Sequence, residues 1–408
     1  MKRLLFLALP ALMYAEGLKS LLDFAVTQNN IVVSKILIEQ SKMKDIESSQ
    51  GVYYPTIDAG AFYQNLNSRT PGFAGDVYSG YVKVGVDLYD GGRKKSTIEK
   101  NKALLEASKY DTYAYKKSLQ LQIVQDFFNI QSAKESLKAL KEKNEQLKAE
   151  VYRVRKFYEV GSATKDDVDR LQAALSNNTY LIDTIKFQIH SLKRVMSLKI
   201  GKKVSTLEDT QIQEPLSIEK NRSDEINVLK EQAKSLQYTA NSVNSAYKPQ
   251  VRFEDTFNLY DYGRSDVTHF DGVNHQNKLM LSFNIRLFDN GVVSKKKESI
   301  IIQKMALQKQ IKQLEDAQDI NLELALSKIK TIKAQIKSAK SSLTSANSAY
   351  ITISQKFKAG IVDNVTYLDA LSVKTNSKSL YQKALNDIQI AYASYYYYLN
   401  KNIKDYIK

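Results

Sequence analysis

Few side chains in this 408-residue sequence are suited to covalent chemistry. There is no cysteine, which removes both a thiol nucleophile and any disulfide. The three histidines, His190, His269 and His275, do not have the spacing of zinc ligands. What stands out is a set of carboxylates just past two glycines: Asp166, Asp167 and Asp169 after Gly161, and Asp369 after Gly360. Such carboxylates can face the positive end of a helix that begins there. Alternatively, rotational symmetry can turn one of them into a ring that favours cations at a narrow opening. Both readings involve charge without turnover, so no catalytic residue, cofactor or metal ligand is expected.

The elements that would position these carboxylates come in two copies. Leu88-Tyr89-Asp90-Gly91-Gly92 returns 199 residues later as Leu287-Phe288-Asp289-Asn290-Gly291, and Gly161 and Gly360 are separated by the same interval. Between each junction and its turn lies a run without Gly or Pro, Arg93 to Val160 and Val292 to Ala359. Leu137, Leu140, Asn144, Leu147, Val151 and Val154 recur at steps of three and four. Val168, Leu171, Leu175, Asn178, Ile182 and Ile185 do the same beyond Gly161, and so do Ile329, Ile332, Ile336, Ala339 and Leu343 in the second copy. These are heptad seams of antiparallel coiled-coil hairpins. At the helix rise per residue, each long helix reaches on the order of 100 Å. Gly161 and Gly360 fit the left-handed residue that ends a helix, and Thr164 and Asp363 fit caps of the next one.

Before each junction the pattern alternates. Val82, Val84, Val86 and Leu88 oppose Lys83, Gly85 and Asp87, and Leu279, Leu281, Phe283, Ile285 and Leu287 oppose Met280, Ser282, Asn284 and Arg286. Thr56 to Asn67 and Val251 to Leu259 supply two further strands, with Asp255 interrupting an apolar face. The polar stretches Asn67 to Asp76 and Asp261 to Gln276 read as loops, placing His269 and His275 outside the strands. Strands of this length, apolar on one face and polar on the other, suit a transmembrane barrel. Four strands cannot close one, and open edges in lipid leave backbone groups unpaired. Two copies give a barrel filled by side chains; three give a twelve-stranded one with a lumen, so a homotrimer is expected.

The N-terminus reads as a signal peptide over 1–15: Lys2 and Arg3, an apolar run too short to span a bilayer, then Ala15. Two repeats follow, 16–210 and 211–408, each a helix, two strands and a long helical hairpin. Leu18 to Ser49 and Arg222 to Tyr247 are the helices that precede the strands, and Asp363 to Ile403 is the final return helix. The net charge of +16 comes from Lys and Arg interspersed with Glu and Asp along helix faces, the pattern of a solvated coiled coil with no nucleic-acid partner.

In combination, the two copies, the junctions Asp90-Gly91-Gly92 and Asp289-Asn290-Gly291, and the turns Val160-Gly161-Ser162 and Ala359-Gly360-Ile361 resemble the TolC-like outer membrane efflux proteins. The resemblance covers nearly the whole chain after residue 15. It implies a mixed α and β fold, with long antiparallel hairpins forming a tube and four strands per chain completing a twelve-stranded barrel in a trimer. It implies an outer membrane channel-tunnel of a tripartite efflux or type I secretion system, with its helical tunnel in the periplasm. Its barrel would sit in outer membrane lipid. It also implies tip-to-tip docking, through Val160, Gly161, Ser162, Ala359, Gly360 and Ile361, with a periplasmic adaptor (membrane fusion) protein that leads to an inner-membrane pump. Asp167 and Asp369 fall where the family has gate carboxylates. Thr366 replaces a further gate Asp of some members, and Phe357 and Val362 stand where some have a Tyr and an Arg that lock the entrance. A periplasmic coiled-coil adaptor or scaffold without a barrel is the competing expectation.

Overall fold

A computed structural model describes residues 17–67, 75–205, 207–216, 219–263 and 272–408. The expected signal peptide, the centres of both strand-connecting loops and His269 lie outside them. The elements run α1 (Leu18–Gln28), α2 (Asn30–Gly51), β1 (Thr56–Asn65), β2 (Asp76–Tyr89), α3 (Arg93–Glu159), α4 (Lys165–Ile200), α5 (Asp224–Asn244), β3 (Gln250–Gly263), β4 (His275–Asn284), α6 (Val292–Lys358) and α7 (Asn364–Tyr398). The chain divides into two compact units. One holds 36–111 and 225–314, and the other holds 17–35, 112–224 and 315–408.

The first unit is built on a four-stranded antiparallel sheet of order β1-β2-β3-β4. Its register brings Asp58, Lys83, Thr256 and Lys278 into one transverse row, and Ile57, Val84, Asp255 and Leu279 into the next. Side chains in paired positions share a face, so one face is mostly polar and the other is apolar near the helices apart from Asp255, with Asn65, Asp76, Asn277 and His275 on it toward the loops. The polar face is knitted by ion pairs, Arg252 Nη1 lying 2.7 Å from Asp87 and Nε 3.1 Å from Glu254. Ile57, Val82, Leu279, Leu281 and Phe283 on the other face are exposed. As expected from the sequence, both outer strands carry one free edge. β4 differs from expectation at both ends. It begins at His275, which therefore lies in a strand opposite Leu259 rather than in a loop, and it stops at Asn284. Ile285 to Phe288 continue without a ladder, because β3 has run out of partner residues at Gln250.

The second unit contains α1, the parts of α3 and α6 from 112 and 315 onward, α4, α7, the linker after α4 and the C-terminal segment. Leu18, Leu21, Leu22 and Ala25 of α1 are buried, as are Ile123, Phe127 and Ile130 of α3 and Met196 and Ile200 of α4. Burial of each such large side chain contributes about 1.5–3 kcal/mol. The seam asparagines meet: Asn178 Nδ2 donates to Asn144 Oδ1 at 3.2 Å and to the Leu140 carbonyl at 3.0 Å, which fixes the register of α4 on α3.

Two expectations are corrected here. The first helix is broken at Asn29, whose backbone is extended (ψ 129°), and its two halves are bent by 41°. Asn29 Oδ1 accepts from the Ile31 and Val32 amides and so caps α2, while its Nδ2 holds the Lys199 carbonyl at 2.7 Å. The last helix ends at Tyr398, because Asn400 takes a left-handed backbone (φ 59°). The chain then pairs with the linker between the repeats, Ile407 bridging Ile212. Among the described residues no single helix is long and apolar enough to cross a membrane.

Candidate functional site

Each strand-to-helix junction is organised by an aspartate. Asp90 Oδ1 accepts from the Gly92 amide at 3.1 Å and Oδ2 from the Lys94 amide at 2.7 Å. Asp289 repeats this on Gly291 and Val293, each at 3.0 Å. The carboxylate meets the free amides of the first helical turn, which is why Asp stands there. The two residues that follow turn left-handed: Gly91 and Gly92 in one copy, Asn290 and Gly291 in the other. Tyr247 adds a 2.6 Å hydrogen bond to Asp289, and that bond, with the backbone donors, holds its carboxyl below the usual carboxylate range.

The two turns at the far ends of α3 and α6 are alike bond for bond. Gly161 (φ 75°) donates to the Tyr158 carbonyl and Ser162 to Phe157; Gly360 (φ 73°) donates to Phe357 and Ile361 to Lys356. This is the left-handed helix ending that glycine permits. Thr164 caps α4 in a reciprocal box with Asp167, and Asp363 caps α7 by accepting from Thr366 at 2.9 Å. The turns present one large aliphatic each, Val160 at 74% exposure and Ile361 at 70%, on opposite sides of their glycines. Gly161, Ser162, Ala359 and Gly360 are exposed between them.

Residues 37–180 match the family model for outer membrane efflux proteins. Nearly the whole chain also superposes on solved channels. The outer membrane channel CmeC of Campylobacter jejuni is 17% identical, with 93% of this chain and 86% of that chain covered and a TM-score of 0.76. The outer membrane protein VceC of Vibrio cholerae is 12% identical over 95% of this chain and 96% of that one, with a TM-score of 0.78. A membrane protein from Pseudomonas aeruginosa is 16% identical, covering 94% and 93%, with a TM-score of 0.81. A search of curated protein sequences gave no match. The chain is thus similar to outer membrane efflux proteins in sequence over 37–180 and in fold over nearly its whole length. It has the TolC-like fold.

The two carboxylates that the resemblance pointed to as a gate, Asp167 and Asp369, differ in environment. Asp369 is exposed. Asp167 is engaged on both oxygens: Oδ2 accepts from the Thr164 amide and hydroxyl, and Oδ1 accepts from Asn364 Nδ2 at 3.0 Å. The same Asn364 nitrogen lies 3.2 Å from the Asp167 carbonyl. Asn364, which sequence reasoning passed over, therefore ties the first hairpin to the second just behind the turns.

Behind Asn364 lies an aromatic plug. Tyr367 is 1% exposed and stacks on Phe357 at 4.6 Å, with Leu147, Val151, Val154, Leu171 and Leu371 around it. Arg153 lies 4.7 Å over the Phe357 ring while its Nε holds Glu150 at 2.6 Å. Burial pushes the Tyr367 hydroxyl well above its ordinary range, as does its hydrogen bond with Tyr350. Replacing Tyr367 by Ala leaves a cavity in this cluster and is expected to cost about 3–5 kcal/mol, read as loss of amide protection along 147–171 and 350–371. The seams contained Phe357, but nothing in the sequence marked it as a buried stacking partner rather than a site of an entrance lock.

The Asp363 cap gives a pH signature. The Thr366 hydroxyl and amide hold the Asp363 carboxyl below its usual range. Its contribution is complete above the unfolded carboxylate value of about 4 and is lost as pH falls through the lower folded value. Amide exchange at Thr366, corrected for intrinsic rates, is expected to lose protection only in strong acid. Asp363→Asn keeps a cap without a titrating group and is expected to remove the acid step.

Proposed function

We propose that this protein is an outer membrane efflux channel, the passive exit duct of a tripartite efflux or type I secretion assembly. A homotrimer closes three four-stranded sheets into one barrel, with the apolar face toward outer membrane lipid and the polar face toward the lumen. The six turn residues Val160, Gly161, Ser162, Ala359, Gly360 and Ile361 receive a periplasmic adaptor protein, which connects the duct to an inner-membrane pump. The observation that carries this reading is a sheet with both edges open and one exposed apolar face. A row of unpaired backbone groups in lipid is too costly to stand alone, and neighbouring copies supply the missing ladders. The alternative of a soluble coiled-coil adaptor is not favoured, because nothing in it would use an exposed apolar sheet.

The cysteine-free chain makes the test direct. Single cysteines are placed in turn along β1 and along β4, and the two series are combined pairwise in detergent-extracted protein. Cross-linked trimers are the expected product, together with ion conductance in planar bilayers. A monomer that stays soluble without detergent, with no cross-link at any pairing, would overturn the duct.

Asp167 and Asp369 are assigned to the periplasmic entrance, with Asn364 as the strap that keeps Asp167 in place. A hydrogen bond to a charged group is worth about 1.5–3 kcal/mol. Asn364→Ala is therefore expected to loosen the two turns and raise single-channel conductance, without loss of the trimer. Conductance unchanged from the parent protein would remove Asn364 from the entrance.

A further inference from the structure

The polar face of the sheet changes character along its length. Near the helices its rows are ionic: Asp87 opposite Arg252, Gly85 opposite Glu254, and Asp58 opposite Lys83. Toward the connecting loops the rows become aromatic. Gly60 lies opposite Tyr81, Phe62 opposite Ser79 opposite Tyr260, and Val77 opposite Tyr262. Positions in one row share a face, and residues two apart on a strand share it too. Phe62, Tyr81, Tyr260 and Tyr262 therefore stand together on the face that also carries Lys83, Asp87 and Arg252. The rings are ordered against one another. Tyr260 and Tyr262 stack with centroids 6.1 Å apart and an interplanar angle of 16°. The Tyr81 ring lies over Gly60, where an added Cβ would come within 2.6 Å of it. Ser79, between Phe62 and Tyr260 in its row, is only 4% exposed, and its hydroxyl is buried without a hydrogen-bond partner. Phe62 itself remains 45% exposed.

Tyr262 is anchored by its hydroxyl, which donates to the Val273 carbonyl at 3.0 Å, and Tyr81 covers Gly60, while Phe62 stays half exposed beside rows that carry paired charges. Aromatic faces offer stacking and cation–π contact to a planar guest. On the duct reading above, the polar face lines the lumen. We infer that Phe62, Tyr81, Tyr260 and Tyr262 form a collar inside the outer mouth that binds planar aromatic cargo, above all planar aromatic cations, on its way out. The collar deepens the duct reading by naming a substrate class. The ionic rows lie below it, with Arg252 already paired to Asp87 and Glu254, so selection by ring chemistry falls to the collar.

The test uses the full-length trimer in detergent with ethidium as the planar aromatic cation and spermine as a cation without a ring. Phe62→Leu/Tyr260→Leu keeps bulk and apolarity and removes two rings, so folding is checked by the same trimer and by parental thermal stability. Fluorescence titration is expected to show ethidium binding to the parent protein, weakened about tenfold in the double variant. Spermine competition at the ionic rows is expected to be unchanged. Equal ethidium affinity in parent and variant overturns the collar, as does a parallel loss for both cations. Bilayer conductance is measured on the same samples. A protein that binds ethidium through these rings yet carries no current refutes the duct while leaving the collar standing.

Discussion

Gly161→Leu combined with Gly360→Leu is expected to abolish export and adaptor capture while the trimer and its barrel persist. Both glycines hold a left-handed backbone, at φ 75° and 73°, and no heavy atom lies within 4 Å of where a Cβ would be added. The cost within the folded chain is therefore conformational, about 1–2 kcal/mol at each turn. That is too little to unfold hairpins held by seams of this length. The larger effect falls on whatever packs against the turns, because each leucine projects into open space beside Val160 or Ile361. Gly→Ala at both positions separates the two contributions, since alanine carries the conformational strain with little bulk. Cross-linking in cells followed by adaptor recovery is the measurement. Export that survives the leucines, or trimers that fail to form, would refute a docking role for the turns.

Gly91→Ala is expected to destabilise the assembled protein by about 2–5 kcal/mol, the sum of left-handed strain and overpacking. Gly91 has φ 71°, and an added Cβ would lie 2.6 Å from the Ser245 carbonyl oxygen and 2.8 Å from Lys248 Cβ. Gly92, the next residue, has φ 88° but open space around it, so Gly92→Ala brings strain alone. The second repeat sharpens the contrast, because the position equivalent to Gly91 is Asn290, at φ 54°. Asparagine tolerates that geometry. Gly91→Asn is nevertheless expected to be as damaging as Gly91→Ala, while Asn290→Gly is expected to be nearly neutral. Thermal dissociation of the trimer, followed by gel mobility, distinguishes these variants. Equal behaviour of Gly91→Ala and Gly92→Ala would show that the close approach of Ser245 does not matter.

Features carried by local pattern were legible in the sequence. The long helices follow from runs without Gly or Pro, and their ends from Gly161, Gly360, Thr164 and Asp363. Alternation in 82–88 and 279–283 located two strands and their two faces. What escaped were features set by partners distant in sequence. Asn29 reads as one more polar residue in an amphipathic helix until Lys199 lies beside it. The last residues pair with Gln211 and Gln213 through two backbone hydrogen bonds, the Gln213 amide donating to Tyr406 and the Lys408 amide to Gln211, that have no local signature. The strap from Asn364 to Asp167 likewise joins positions 197 residues apart. The four-ring collar appears only when the register places Phe62 level with Tyr260.

Helices α3 and α6 are each 67 residues long. They behave as a pair of rulers cut to a common mark, with Asn364 checking the two marks against each other. Removing one heptad from α3 alone preserves its seam phase but draws its turn back by about 10 Å, beyond the reach of any side-chain bond. Length in this molecule can therefore change only in matched pairs of cuts. An engineer who wants a shorter or longer shaft has to edit both copies at once.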